Sequence, residues 1–229
     1  LLYFAEFRHT ASEWIFMKRN CALLLPILLL GGCGIDTPAE RAIKKLKSSS
    51  PEEREAGAMA LGQLHQQKED SIPALRKALK DKEVKVKIAA ATALAAFGED
   101  AAECAPEILA LTDGADNKVK YRAMSALASI KAEKELVEAA TKLLKDSDPE
   151  VKMSALQALY DLGAAAAPAV GPLSDACKDQ DSNIRLMSAK TIGNIGKDAS
   201  SAIPALNGLM GDKEPFVRDA AREALSKVR

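Results

Sequence analysis

Acids and bases recur in this chain at a spacing that could serve proton transfer. A base stands at Arg54, Lys87, Lys120, Lys152, Arg185 and Arg218, and an aspartate precedes four of these by six residues, at Asp81, Asp146, Asp179 and Asp212. Asp113 is displaced by one before Lys120, and Ser48 takes the place before Arg54. A carboxylate beside a cation can act as general acid or base, but an active site is one constellation, and these pairs repeat along the chain. A structural role is therefore expected. His65 is the one histidine besides His9, too few for His-based metal ligation and a poor basis for a nucleophilic triad. Cys177 aligns with Leu79, Leu144 and Met210 and reads as a small core residue, and neither it nor Cys104 is expected to be reactive. Packed helices lie about 8–10 Å apart and a disulfide needs Cα atoms within about 7 Å, so no bridge between them is expected. No metal site, cofactor site or catalytic residue is predicted.

The elements that carry these residues repeat. Leu61, Leu94, Leu127, Leu159, Ile192 and Leu225 are 32 or 33 residues apart. Eight positions before each stands Glu53, Val86, Val119, Val151, Ile184 or Val217. Four before stands a small residue, Gly57, Ala90, Ala123, Ala155, Ser188 or Ala221. Such offsets trace one helical face, and the small residue lets a neighbouring helix come close. Gly98, Gly163 and Gly196 stop three of these helices, and His65 occupies the same register as an exposed turn residue. A second helix, often opened by proline, follows in each unit at 72–79, 106–111, 136–144, 168–177 and 203–210. An opening helix at 38–47 and a closing one at 215–228 bring the total to about twelve. Thr37-Pro38-Ala39-Glu40 reads as a capping box. Only 4% of residues are aromatic, so packing rests on aliphatic side chains in thin stacked layers. The 32 basic and 32 acidic residues balance, which disfavours nucleic acid, as does the lack of aromatics for base stacking.

The front of the chain is different in kind. Met17-Lys18-Arg19 leads into an apolar run, 21–30, too short to cross a membrane, and then Leu30-Gly31-Gly32-Cys33. This series resembles the signal peptide and lipobox of bacterial lipoproteins. The resemblance implies upstream translation at 1–16, a signal peptide at 17–32, a lipidated Cys33 with a short tether at 33–37, and the repeat body at 38–229. Gly34 follows the cysteine where an Asp would retain a lipoprotein in the inner membrane of enteric-type bacteria. The expected address is the bacterial envelope, with the outer membrane favoured.

The motif Asp-x-acid-x-x-Val-base, as in Asp212-Lys213-Glu214-Pro215-Phe216-Val217-Arg218, resembles HEAT repeats, particularly the short ones of phycobilisome-lyase-like proteins. The resemblance implies an all-α, α-α superhelical solenoid. It also implies that Asp81, Lys87, Lys120, Asp146, Lys152, Asp179, Arg185, Asp212 and Arg218 form a ladder along the stack. Second-type helices are expected on the concave face, which makes Arg76, Lys77, Lys80, Lys142, Lys145 and Lys178 candidate partner-binding residues. The implied function is a non-catalytic scaffold that binds a protein partner. A phycobilin-lyase-like activity is one alternative. Another is self-assembly through the closing helix, whose apolar face from Val217 to Val228 has no following unit.

Overall fold

The computed structural model describes residues 36–229; the expectations for the leader and Cys33 lie outside the described residues. Thr37–Arg229 forms one compact unit. Its twelve α-helices are α1 (Pro38–Leu46), α2 (Pro51–Leu61), α3 (Lys68–Ala78), α4 (Val84–Ala96), α5 (Ala105–Ala110), α6 (Asn117–Ser129), α7 (Glu133–Leu143), α8 (Pro149–Leu162), α9 (Val170–Ala176), α10 (Ser182–Ile195), α11 (Ile203–Leu209) and α12 (Pro215–Val228). No strand occurs among the described residues, and no described helix is long and apolar enough to cross a membrane.

Two rows of helices run along this unit. The first-type row is α2, α4, α6, α8, α10 and α12; the second-type row is α1, α3, α5, α7, α9 and α11. The six register residues are buried, Leu61 through Ile192 completely, and the small residues four positions earlier are buried beneath the neighbouring helix. α1 opens with the full capping box: Thr37 Oγ1 accepts from the Glu40 N–H while the Glu40 carboxylate accepts from the Thr37 N–H. Prolines open α5 and α11 as expected, because a missing N–H is harmless in the first turn. α3 differs. It begins at Lys68, earlier than the proline suggests, and carries Pro73 inside it.

Seven-residue 3₁₀ segments of about two turns join the rows, at 98–104, 163–169 and 196–202 in three of the units. Each starts on a glycine with positive φ, 56° at Gly98, 54° at Gly163 and 78° at Gly196. In the third unit that segment is missing, and Lys131 takes the same backbone position with φ 57°. Its N–H and that of Ala132 reach back to Ala128 and Leu127, a helix stop normally given to glycine. Lys131→Gly should therefore raise stability by about 1 kcal/mol in urea unfolding, since a left-handed backbone costs an L-residue roughly 1–2 kcal/mol. The exposed ion pair from Lys131 to Glu99 that would be lost contributes little.

The closing helix corrects one expectation. Val217, Ala220, Ala221, Ala224, Leu225 and Val228 are at most 7% exposed, all used against the preceding unit. Its outward side carries Asp219, Arg222, Glu223, Ser226 and Lys227, with Phe216 exposed near its start. The apolar face from Val217 to Val228 invoked for self-assembly is therefore not free.

Candidate functional site

The charged motif resolves into two jobs. The residue four before each base, Ser50 in the first unit and an acid in the others, is the N-cap of a first-type helix, and Asp116, Asp148 and Asp181 accept helix N–H groups there. The aspartate six before the base turns one carboxylate oxygen to the N–H of that capping residue, at 2.9 Å in all four units where it occurs. Its other oxygen takes the base of the preceding unit. Arg54 pairs with Asp81 at 2.7 Å, Lys120 with Asp146 at 2.6 Å, Lys152 with Asp179 at 2.7 Å and Arg185 with Asp212 at 2.6 Å. The latch therefore runs from each base to the aspartate 26 or 27 residues later, crossing from one unit to the next.

Arginine does more than lysine at this position. Arg54 and Arg185 grip their aspartates with both Nε and Nη2 while Nη1 binds two carbonyls of their own turn. Lysine brings a point charge and reaches the carboxylate alone, apart from a long contact of Lys120 to Asn117. Two of the predicted ladder members differ. Arg218 has no following aspartate and binds only the carbonyls of Asp212 and Lys213. Lys87 makes no ion pair among the described residues, because the one-residue displacement of Asp113 places its carboxylate in an exposed 3₁₀ turn, where it pairs with Lys142.

Hydrogen bonds from the paired bases hold the carboxyls of Asp81, Asp146 and Asp212 below the ordinary range, Asp212 at about 2. At Asp179 burial pushes upward, yet Lys152 and the Asp181 N–H still bring it down. A carboxyl with a depressed native pKa stabilises the fold above its unfolded value and stops doing so as pH falls through the native one. Stability should thus fall between about pH 4 and pH 2, the interval from the ordinary 3.8 to about 2 for Asp212. Thermal melts across that range check it; a melting temperature constant below pH 4 would contradict it.

The second-type row holds the six candidate basic residues, but two are already engaged, one with the next unit and one with the preceding unit. Arg76 pairs with Glu107 at 2.7 Å and Lys142 with Asp113. Lys77, Lys80, Lys145 and Lys178 are exposed and make no ion pair among the described residues. The packing within this unit distinguishes the two rows. First-type helices touch their successors far more extensively than second-type helices do. They can because small residues sit at the crossings, with Gly62 against Ala93 and Gly193 against Ala224. The first-type helices thus form the tightly packed row, called the inner row below for its packing, and the six basic residues stand on the second-type row.

The inner row opens at one junction. α6 and α8 touch less than any other consecutive pair of that row, and a cavity of about 350 Å³ lies there. It is floored by Met124, Leu127, Leu136, Ala158 and Leu162 and rimmed by Ser125, Lys131, Glu133, Gln157 and Asp161. A shallower depression of about 410 Å³, lined by Ile88, Lys118, Tyr121, Arg122 and Ser125, adjoins it across Tyr121 and Ser125. Sequence reasoning did not find this groove. Its signals were the single 32-residue spacing, the displaced Asp113 and the lysine in a glycine position, all belonging to one irregular unit.

Little else on the unit offers chemistry. Cys104 and Cys177 are buried free thiols, and burial pushes them to about 11 and about 12, far from a reactive thiolate. His65 is exposed at the start of a 3₁₀ turn, its ring 5.3 Å from that of Phe97. No cluster of potential metal ligands occurs among the described residues.

Comparison with known proteins agrees with this architecture. The model of HEAT repeats matches residues 39–106, 105–170 and 162–226. No curated protein matches by sequence. Among solved structures, a designed armadillo repeat protein in complex with the peptide (KR)4 is 20% identical, with 85% of this chain and 100% of that one covered at a TM-score of 0.59. An engineered protein is 23% identical, covering 84% of this chain and 97% of its own, at 0.58. The complex of CpcE and CpcF of phycocyanin lyase from Nostoc sp. PCC7120 is 21% identical, with 86% and 79% covered, at 0.53. At these identities the likeness is one of fold. With its repeat register, its forward-running ion latch and the family match over nearly all of the described unit, the chain belongs to the HEAT-repeat family.

Proposed function

We propose that this chain is a lipid-anchored, non-catalytic scaffold of a bacterial envelope, in its outer membrane, that binds a protein partner along the inner row. The observation that carries the binding reading is a rigid spine of latched helices presenting a row of exposed positions that opens into a groove at α6 and α8. Affinity in such a stack comes from many modest contacts on a preorganised surface, without folding cost. The anchoring rests on Leu30-Gly31-Gly32-Cys33 behind a basic and apolar leader, with only residues 34–37 between Cys33 and α1. Several acyl chains at about 0.8 kcal/mol per buried CH₂ would hold the unit firmly at the surface.

The test uses the full chain expressed in a bacterial host. A palmitate analogue should label it, and Cys33→Ala should abolish the label; persistent labelling of that variant would overturn the anchor. Crosslinking in the native envelope should capture a protein through first-type helices. Absence of any captured protein, or a stoichiometric visible-absorbance shift on mixing with a linear tetrapyrrole, would overturn the scaffold reading.

A further inference from the structure

The groove on the inner row has chemically different ends. At the α4 side, Lys118 and Arg122 stand one helical turn apart beside Ile88. Neither makes an ion pair among the described residues, and α4, which they face, contains no acidic residue. The carboxylates felt by Tyr121 belong to the other side: Asp146, Asp148 and Glu150, of which Asp148 already caps α8 and accepts from Asn117. Unpaired cations on a neutral surface call for an anion. At the α8 side lies the apolar cavity of about 350 Å³, small for a ligand pocket and suited to one large side chain.

Polar groups able to meet a peptide backbone stand on α6, between the ends, and on the far rim of the cavity. Ser125 is exposed on α6, and Gln157, exposed on α8, donates its amide to Asp161 and leaves its carbonyl open. From Arg122 to Ala128 the helix advances about 9 Å at 1.5 Å per residue, which an extended chain spans in about three residues. We propose that this groove binds an extended segment of a partner protein in which an acidic residue precedes or follows a large aliphatic or aromatic residue by two or three positions. This rests on the scaffold reading and names the partner chemistry of its groove.

The probe is the fluorescein-labelled peptide Gly-Ser-Glu-Gly-Ser-Leu-Gly-Ser, read by anisotropy against the full chain. A peptide with Lys for Glu, one with Glu and Leu six residues apart, and laurate serve as comparisons. The Glu peptide should bind, and the Lys peptide about tenfold more weakly. Arg122→Glu should reverse that preference, and Ala128→Trp, at an exposed position on the cavity wall, should weaken the Glu peptide about tenfold, both with an unchanged melting curve. Equal affinity for the Glu and Lys peptides, no effect of either variant, saturation by laurate in place of peptide, or no binding at about 1 mM overturns the proposal. If the peptides fail while a native partner still crosslinks to the inner row of Ala128→Trp, the scaffold reading stands and only this assignment falls. If no partner is captured at all, both fall.

Discussion

Arg185→Ala should lower stability by about 3 kcal/mol, because it leaves Asp212 as a buried charge without its cation. The two side chains are 9% and 8% exposed, the most enclosed pair of the ladder, and Arg185 also holds the carbonyls of Asp179 and Gln180. Removing the guanidinium therefore costs a bidentate salt bridge and two carbonyl partners at once. Lys152→Ala should cost less, about 1–2 kcal/mol, since that pair is 20% and 17% exposed and joined by one hydrogen bond. Lys87→Ala is the internal control. Its base occupies the same register with no carboxylate to grip, so the change should stay within about 0.5 kcal/mol. Urea unfolding of the three variants orders them. Equal losses for Lys87→Ala and Arg185→Ala would show that the helical register, and not the ion latch, holds the units together. Hydrogen exchange adds a spatial reading: because each unit contacts only its neighbours, the loss of protection in Arg185→Ala should centre on α10 through α12.

Gly57→Val is the second large effect, and its sign runs against local helix preference. Gly57 lies inside α2, where even alanine would be better than glycine by about 1 kcal/mol in an isolated helix. A Cβ at that position would come 2.8 Å from the Ala42 carbonyl oxygen, 2.9 Å from Lys45 Cβ and 3.0 Å from the Leu46 nitrogen. Two of those atoms are backbone, so relief requires moving α1 as a body. The expected cost is about 3 kcal/mol, bounded by what docking α1 is worth. That docking consists of Ala39 and Ala42 buried against α2 and the Ala39 N–H given to Gln67. Exchange should quicken across 38–46 and stay unchanged in α6 through α12. On the proposed tether this variant separates two roles: lipid labelling at Cys33 should persist while the unit nearest the membrane loosens.

Much of this molecule was legible because a repeat writes the same physics several times. A leucine register with a small residue one turn earlier requires close-packed helices, whatever surrounds them, and each recurrence confirms the others. The aspartate-to-base spacing was legible as structural for the same reason. Its partner choice was not, since a spacing of six within one unit suggests a local pair, while the folded chain brings each base to the aspartate of the next turn. The thiols followed from burial alone.

Sequence by itself determined the twelve helices, the helix faces, the glycine stops at Gly98, Gly163 and Gly196 and the identity of the repeat, because each depends on contacts within one turn or between neighbouring units. Tertiary structure decided what depends on how the rows close. It set which row packs tighter, turned Asp113 from Lys87 to Lys142, buried the apolar face of the closing helix, and parted α6 from α8. Those outcomes rest on small differences in helix approach, where one residue more or less in a turn rotates a carboxylate away or opens a groove, and no single stretch of sequence records them.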